Sequence, residues 1–382
     1  MTENNLKAFP GSSGNMITKN FNVGPSHVDP DVANDIQQAI DQGILSISHR
    51  SERFYQLYAK ARTEIFKYFS LPADWQIYFV GSGSDAMESA CRGLIEKRSF
   101  HHVNGNFSER AYKFAGMIKK DAVLNKRDEL SGFTGEPDAA PEGTDCAFFC
   151  KTETATGVAT SWDYIKAFRD KNPGVTIVCD VVSVVPTEPL DPNMCDYYFF
   201  SVQKGCGMSA GLGVALCSLQ ALEKCKRLSE AGYDVGANRA LITMDEFAKK
   251  DATLDTPNVL QIFLLGKVFE RFNQKGLVAI ESETRAKAKQ IYDWLETSEY
   301  FYAGVSDPAL RANTAVSVKF KDGVEEEAVL KAVTEAGFET GLGYGAALQT
   351  GYIFAQRRGN DPCADLLPSS VAPHAHLTRT LP

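Results

Sequence analysis

Five short runs of this chain are rich in apolar residues on both faces: Gln76-Ile-Tyr-Phe-Val80, Thr144–Lys151, Val175–Val182, Asp196–Val202 and Leu212–Cys217. A strand without a polar face has no side to turn to water, so it belongs inside a sheet that is covered above and below. Helical patterns fall between these runs, near Asp85–Lys97 and Ser161–Lys171, and again after Cys217. That alternation predicts an α/β fold built on a large, mainly parallel sheet.

The pattern then changes. A long apolar helix is expected over Asn258–Phe272, followed by charged helices at Ile280–Leu295 and Val324–Glu335 around a strand at Thr314–Phe320. With 382 residues, about twice the usual domain size, this predicts a large domain over 20–275 and a smaller α+β C-terminal domain over 276–360. Residues 1–19 read as a flexible leader. Residues 361–382 read as an atypical tail with scattered Pro and Ser and no helical period.

Charge and cysteines narrow the function classes. A net charge of −8 disfavours nucleic acid as the partner, because phosphate-backbone binding needs clustered Lys and Arg. No apolar run is long enough to span a membrane, and even TIVCDVVSVV is interrupted by Asp180. The opening MTENNLKAFPGSSGNMITKN lacks the apolar core of a signal peptide and carries no Arg, so a cytoplasmic location is expected. The nine cysteines (91, 146, 150, 179, 195, 206, 217, 225 and 363) are odd in number and often sit in apolar runs. They read as buried free thiols rather than as disulfides or metal ligands.

Chemistry concentrates between residues 175 and 217. Asp180 ends one apolar strand, and Lys204 follows another, 24 residues later. Both sit where strand C-termini of an open α/β sheet gather ligands. A dehydrated lysine is a nucleophile toward a carbonyl, and a buried aspartate needs a cation or proton partner. A pyridinium N–H supplies that partner, so the pair matches pyridoxal 5'-phosphate, with Lys204 as Schiff base and Asp180 on the ring nitrogen. Taken alone, the pair is better read as a surface-turn lysine and a capping or turn aspartate. The run Gly205–Gly211 does not fit a dinucleotide loop, because its spacing is wrong and a strand follows it. Gly81-Ser-Gly-Ser84 lies between a strand and a helix, a place where backbone N–H groups meet a phosphate.

At this point the residues resemble one family. Asn20-Phe-Asn-Val-Gly-Pro25, Ser48-His-Arg-Ser51 with Phe54, the Gly-Ser-Gly-Ser loop, Thr152-Glu-Thr154 with Gly157-Val158, Asp180 and Ser201-Val-Gln-Lys204 occur in that order. Together they resemble the phosphoserine aminotransferases, in the class V group of fold-type I pyridoxal phosphate enzymes. The resemblance implies that Lys204 forms the Schiff base and shuttles the proton, and that Asp180 pairs with the pyridine nitrogen. It implies that Phe107 stacks on the ring and that Thr154 bonds the ring hydroxyl oxygen. Gly83, Ser84 and Gln203 would hold the cofactor phosphate, joined by Thr256 from a second subunit of a homodimer. Asp255 falls beside that threonine where Asn is common, an awkward place for a carboxylate. His49 and Arg50 match the pair that faces substrate, and the implied substrates are phosphoserine with 2-oxoglutarate or glutamate. Without the resemblance, Arg50 is as well read as a surface residue paired to Glu52.

The match fails in one place. Members of the family often carry a carboxylate-clamping Arg in the C-terminal domain, and here Phe354 occupies that position, with Arg357 and Arg358 three and four residues on. This raises the alternative of a cofactor-binding homologue with impaired catalysis, beside that of a serine- or alanine-type transaminase. A cysteine desulfurase reading is weaker, because Phe107 stands where such enzymes typically stack a His and Cys363 is a poor loop nucleophile.

Overall fold

The computed structural model describes residues 19–342 and 352–355. The chain starts with β1 (Lys19–Phe21), α1 (Asp31–Asp41) and the long α2 (Glu52–Phe69). There follow β2 (Gln76–Val80), α3 (Gly83–Leu94), β3 (Arg98–Val103), α4 (Asn106–Met117), β4 (Asp121–Lys126) and β5 (Thr144–Cys150). A hairpin of β6 (Thr152–Glu153) and β7 (Val158–Ala159) leads to α5 (Trp162–Lys171), β8 (Thr176–Asp180), β9 (Tyr197–Ser201) and β10 (Gly213–Cys217). Helices α6 (Leu219–Glu230), α7 (Leu241–Ala248), α8 (Val259–Lys275) and α9 (Leu277–Thr297) come next. The described chain closes with β11 (Phe301–Ala303), β12 (Ala315–Phe320), α10 (Glu326–Glu335), β13 (Phe338–Leu342) and β14 (Tyr352–Ala355).

Seven strands form the main sheet in the order β2-β10-β9-β8-β5-β3-β4. All neighbours run parallel except β10, which is antiparallel to both β2 and β9. The expected parallel core is therefore present, with one reversed strand near its edge. Every residue of β9 and β10 is buried, as the two-sided apolar reading requires. Because β5, β8 and β9 run the same way, their C-terminal ends meet along one edge, and Cys150, Asp180 and Ser201 stand there together.

Helix starts follow from local chemistry. The hydroxyls of Ser82, Ser161 and Ser218 each accept the N–H three residues on and so cap α3, α5 and α6. Helix α3 begins at Gly83 rather than near Asp85, which brings Gly83 and Ser84 into its first turn. Along α2 the buried residues Phe54, Tyr58, Ala61 and Ile65 recur at helical spacing and face α8, which buries Ile262, Leu265, Phe269 and Phe272.

The second sheet has the order β1-β13-β14-β12-β11. Helix α9 packs on it through Leu295 against Ala303, Val316 and Val318. Lys19–Phe21, which straddles the expected boundary between the leader and the large domain, pairs in parallel with Phe338–Thr340 of the second sheet. The chain thus crosses from this sheet to the main one directly over the strand ends. Phe354 lies on β14 opposite Val316. Arg357, Arg358, Cys363, the tail and residues 1–18 lie outside the described residues. All eight described cysteines are buried free thiols. Among the described residues, no helix is long and apolar enough to cross a membrane.

Candidate active site

Asp180 is the last residue of β8 and is only 7% exposed. Its Oδ1 accepts the Val182 N–H at 2.9 Å, which turns the chain out of the sheet. Burial pushes the carboxyl up to about 7, with the nearby Glu153 charge acting the same way and Lys204 and Arg110 opposing it. Among the described residues no cation forms an ion pair with it.

Lys204 follows the end of β9 by three residues. Its Nζ donates to the Val23 carbonyl at 2.7 Å. Burial lowers its pKa to about 8, against the pull of Asp180 and Glu153. The segment from the second sheet holds the lysine in place: the Ser26 N–H donates to the Gln203 carbonyl at 2.8 Å, and Ser26 Oγ to the Lys204 carbonyl at 2.7 Å. Gly24 makes this crossing feasible. Its φ is +152°, and a Cβ there would lie 2.1 Å from Lys204 Nζ.

Phe107 stands in the first turn of α4, and its ring centroid is 6.0 Å from Lys204 Nζ. Its position is set by Glu153, which the sequence reading passed over. The Glu153 carboxylate is fully buried and accepts the N–H of Phe107 at 3.1 Å, the N–H of Ser108 at 2.9 Å and the Ser108 hydroxyl at 2.8 Å. Burial raises its pKa, and these donors offset only part of the rise. Next along the chain, Thr154 shares a short hydrogen bond with the Ser183 hydroxyl. The Ser183 carbonyl in turn takes the Thr314 hydroxyl.

At the start of α3, a Cβ on Gly83 would lie 2.7 Å from Ser201 Oγ, so only glycine lets the helix approach β9 this closely. The Gly83 N–H already donates to that hydroxyl at 2.7 Å. The Gly83 N–H is thus engaged within the chain, while Ser84, in the same first turn of α3, is half-buried. Gln203 precedes the lysine and is half-buried.

Two cavities flank the cluster. A small one is bounded by Phe107, Asp180, Cys150 and His102. A larger cleft of about 240 Å³ opens on Lys204, Ser183, Thr187 and Thr314, with Arg271 and Lys275 at its rim.

Four expected site residues stand apart within one subunit. His49 is half-buried and Arg50 exposed on the turn before α2, where the Arg50 N–H donates to Ser48 Oγ at 3.2 Å. Asp255 is gripped by both guanidinium nitrogens of Arg239, at 3.2 and 2.8 Å. Burial acts to raise its pKa, but the bonds from Arg239 and Asn238 prevail and hold it below the usual range. Thr256 is exposed beside it.

These groups fit pyridoxal phosphate on their own chemistry. Lys204 is an amine kept from full protonation, Asp180 a buried carboxylate awaiting a cationic N–H, and Phe107 a flat wall beside them. The wider comparisons agree. A family model described as aminotransferase class-V matches residues 19–350. A phosphoserine aminotransferase from Rhodococcus opacus (strain B4) is 29% identical over 327 residues, covering 83% of this chain and 84% of that protein. The crystal structure of a phosphoserine aminotransferase from Cytophaga hutchinsonii superposes with a TM-score of 0.85 at 33% identity, over 88% of this chain and 93% of that one. An aspartate aminotransferase of subgroup IV from Thermus thermophilus has the same fold, with a TM-score of 0.80 at 21% identity over 91% and 96% of the two chains. The chain belongs to the class-V aminotransferase family and is a pyridoxal phosphate-dependent transaminase of fold-type I.

Proposed function

We propose that this transaminase interconverts 3-phosphoserine and 2-oxoglutarate with 3-phosphooxypyruvate and glutamate. The observation that carries the substrate assignment is the 33% identity, over most of both chains, to the Cytophaga protein named phosphoserine aminotransferase.

When bound, the cofactor supplies an aldehyde for amine capture and a protonated ring that withdraws electrons from the substrate Cα. Lys204 provides the nucleophilic amine. Beside the bound cofactor, that amine would take up and return the proton of the substrate Cα. Asp180 would hold a proton on the cofactor's pyridine nitrogen, and such a partner would relieve a carboxylate whose pKa is otherwise raised by burial. Phe107 would pack against the cofactor ring, and Thr154, oriented by Ser183, would hold its ring hydroxyl. Gly83, Ser84 and Gln203 line the phosphate end, with the partner subunit's Thr256 completing it. Asp255 contributes backbone only, since its carboxylate is engaged by Arg239. His49 and Arg50 bind the substrate's anionic groups, and their position away from Lys204 in one subunit favours a site completed in a homodimer. The enzyme operates in the cytoplasm.

Phe354 supports a second reading, in which the cofactor binds but turnover of phosphoserine is weak. Comparing phosphoserine, serine and alanine as amino donors with 2-oxoglutarate separates the two. The proposal expects kcat/KM for phosphoserine to exceed the others by at least about 100-fold, the discrimination expected when a charged group is recognised. Equal or higher values for serine or alanine overturn it.

A further inference from the structure

We propose that Arg110 is a cofactor-binding residue whose guanidinium grips the phosphate of pyridoxal phosphate beside Ser84. The proposal rests on the cofactor assignment and goes beyond the residues the sequence reading placed at the phosphate.

Arg110 lies on α4 one turn beyond Phe107, so both side chains leave the same face of the helix. Its guanidinium carbon is 4.9 Å from the Phe107 ring centroid. Its Nη1 donates to Ser84 Oγ at 3.1 Å. It therefore spans the gap between the ring-stacking wall and the first turn of α3.

Arg110 is half-buried, yet among the described residues it forms no ion pair. Other half-buried arginines are matched, Arg169 by Asp196 and Arg271 by Asp35 at 2.7 Å. The carboxylate nearest in sequence to Ser84 is turned away: Asp85 Oδ1 accepts the Ser82 hydroxyl at 3.1 Å, and Asp85 Oδ2 points at Gly81. A hydroxyl takes one of the five donors of a guanidinium fork, and the others want an anion. The N-terminal turn of α3 favours negative charge at the same spot, but its Gly83 N–H is taken by Ser201. A phosphate dianion placed there would receive two parallel bonds from Arg110.

Two other roles are open to a cation in this place, packing under the Phe107 ring and a weak electrostatic pull on Asp180. Neither depends on the cofactor's phosphate, and that difference supplies the test. The full chain, stripped of cofactor, is titrated with pyridoxal phosphate and, separately, with pyridoxal, following the visible absorbance. Arg110→Gln should weaken pyridoxal phosphate binding by about 10- to 100-fold, the scale of a charge-assisted pair, and leave pyridoxal binding unchanged. Arg110→Lys should recover part of the loss as a point charge. Unchanged pyridoxal binding also reports that the variants fold. Equal weakening of both ligands, or of neither, overturns the proposal. A wild-type chain that prefers pyridoxal phosphate no more than pyridoxal removes the phosphate cradle altogether, and the proposal with it.

Discussion

At the scale of single residues, the site is built from two groups whose charged forms the fold disfavours. Lys204 is held near 8, down from the ordinary 10.5 of an amine, so its neutral form grows as pH rises through 8. The rate of pyridoxal phosphate capture by the stripped chain should climb with pH and level off above about 8. A midpoint near 10 contradicts the burial argument, and Lys204→Ala should abolish the visible band altogether. Asp180 moves the other way, from 3.8 up to about 7. The folded chain then holds a proton there more tightly than the unfolded chain does. The resulting cost is absent below pH 4, grows between 4 and 7 and is complete above 7. The stripped Asp180→Asn variant should therefore match wild type in stability near pH 4 and exceed it by on the order of 2–4 kcal/mol at pH 8, at about 1.4 kcal/mol per pKa unit. Urea unfolding at both pH values checks this, and a variant less stable than wild type at pH 8 contradicts it. Lys204 and Asp180 were legible in the sequence because each stands at the end of an apolar strand. Glu153 and Arg110 were not: Glu153 is bonded by backbone and hydroxyl groups of Phe107 and Ser108, 46 and 45 residues away, and Arg110 by a hydroxyl 26 residues away, and no local spacing announces them.

At the scale of elements, strand ends and helix starts do the positioning. Glu153 ties the β6 turn to the first turn of α4, satisfying N–H groups that a helix start leaves without partners. Glu153→Ala should cost about 2–4 kcal/mol, because it leaves several buried donors unpaired, and should weaken cofactor binding through Phe107. Denaturant unfolding with and without cofactor measures both effects. Loss of stability without loss of cofactor affinity means that the wall does not depend on this anchor. Strands β8, β9 and β10 could be read directly from composition. Strand β3 could not, because Arg98-Ser-Phe-His-His-Val103 carries two histidines at its centre. Those rings stack on Phe148 and Phe149, and burial lowers each to about 3. They are neutral flat rings in the core, and sequence polarity misstates them. The two pairing strands β13 and β14 are short and their partners are set by long-range register, which a local pattern does not encode.

At the scale of the whole molecule, the N-terminal segment links the two sheets across Lys204. Strand β1 pairs with β13, and residues 23–26 then bond Lys204 and Gln203. The second sheet is thereby joined to the strand ends that carry Asp180 and Lys204. Phe354→Arg should raise kcat/KM for phosphoserine by about 10-fold or more, the value of a restored charge-assisted contact. No gain counts against the missing-clamp argument. The central claim is that Lys204 and its neighbours form a working phosphoserine half-site. Its most direct test is the visible spectrum of the cofactor-loaded chain before and after phosphoserine, with no 2-oxoglutarate present. A yellow band that gives way to a shorter-wavelength band on addition of phosphoserine is the predicted result. A yellow band that phosphoserine leaves unchanged contradicts the substrate assignment, and no band at all contradicts the role given to Lys204.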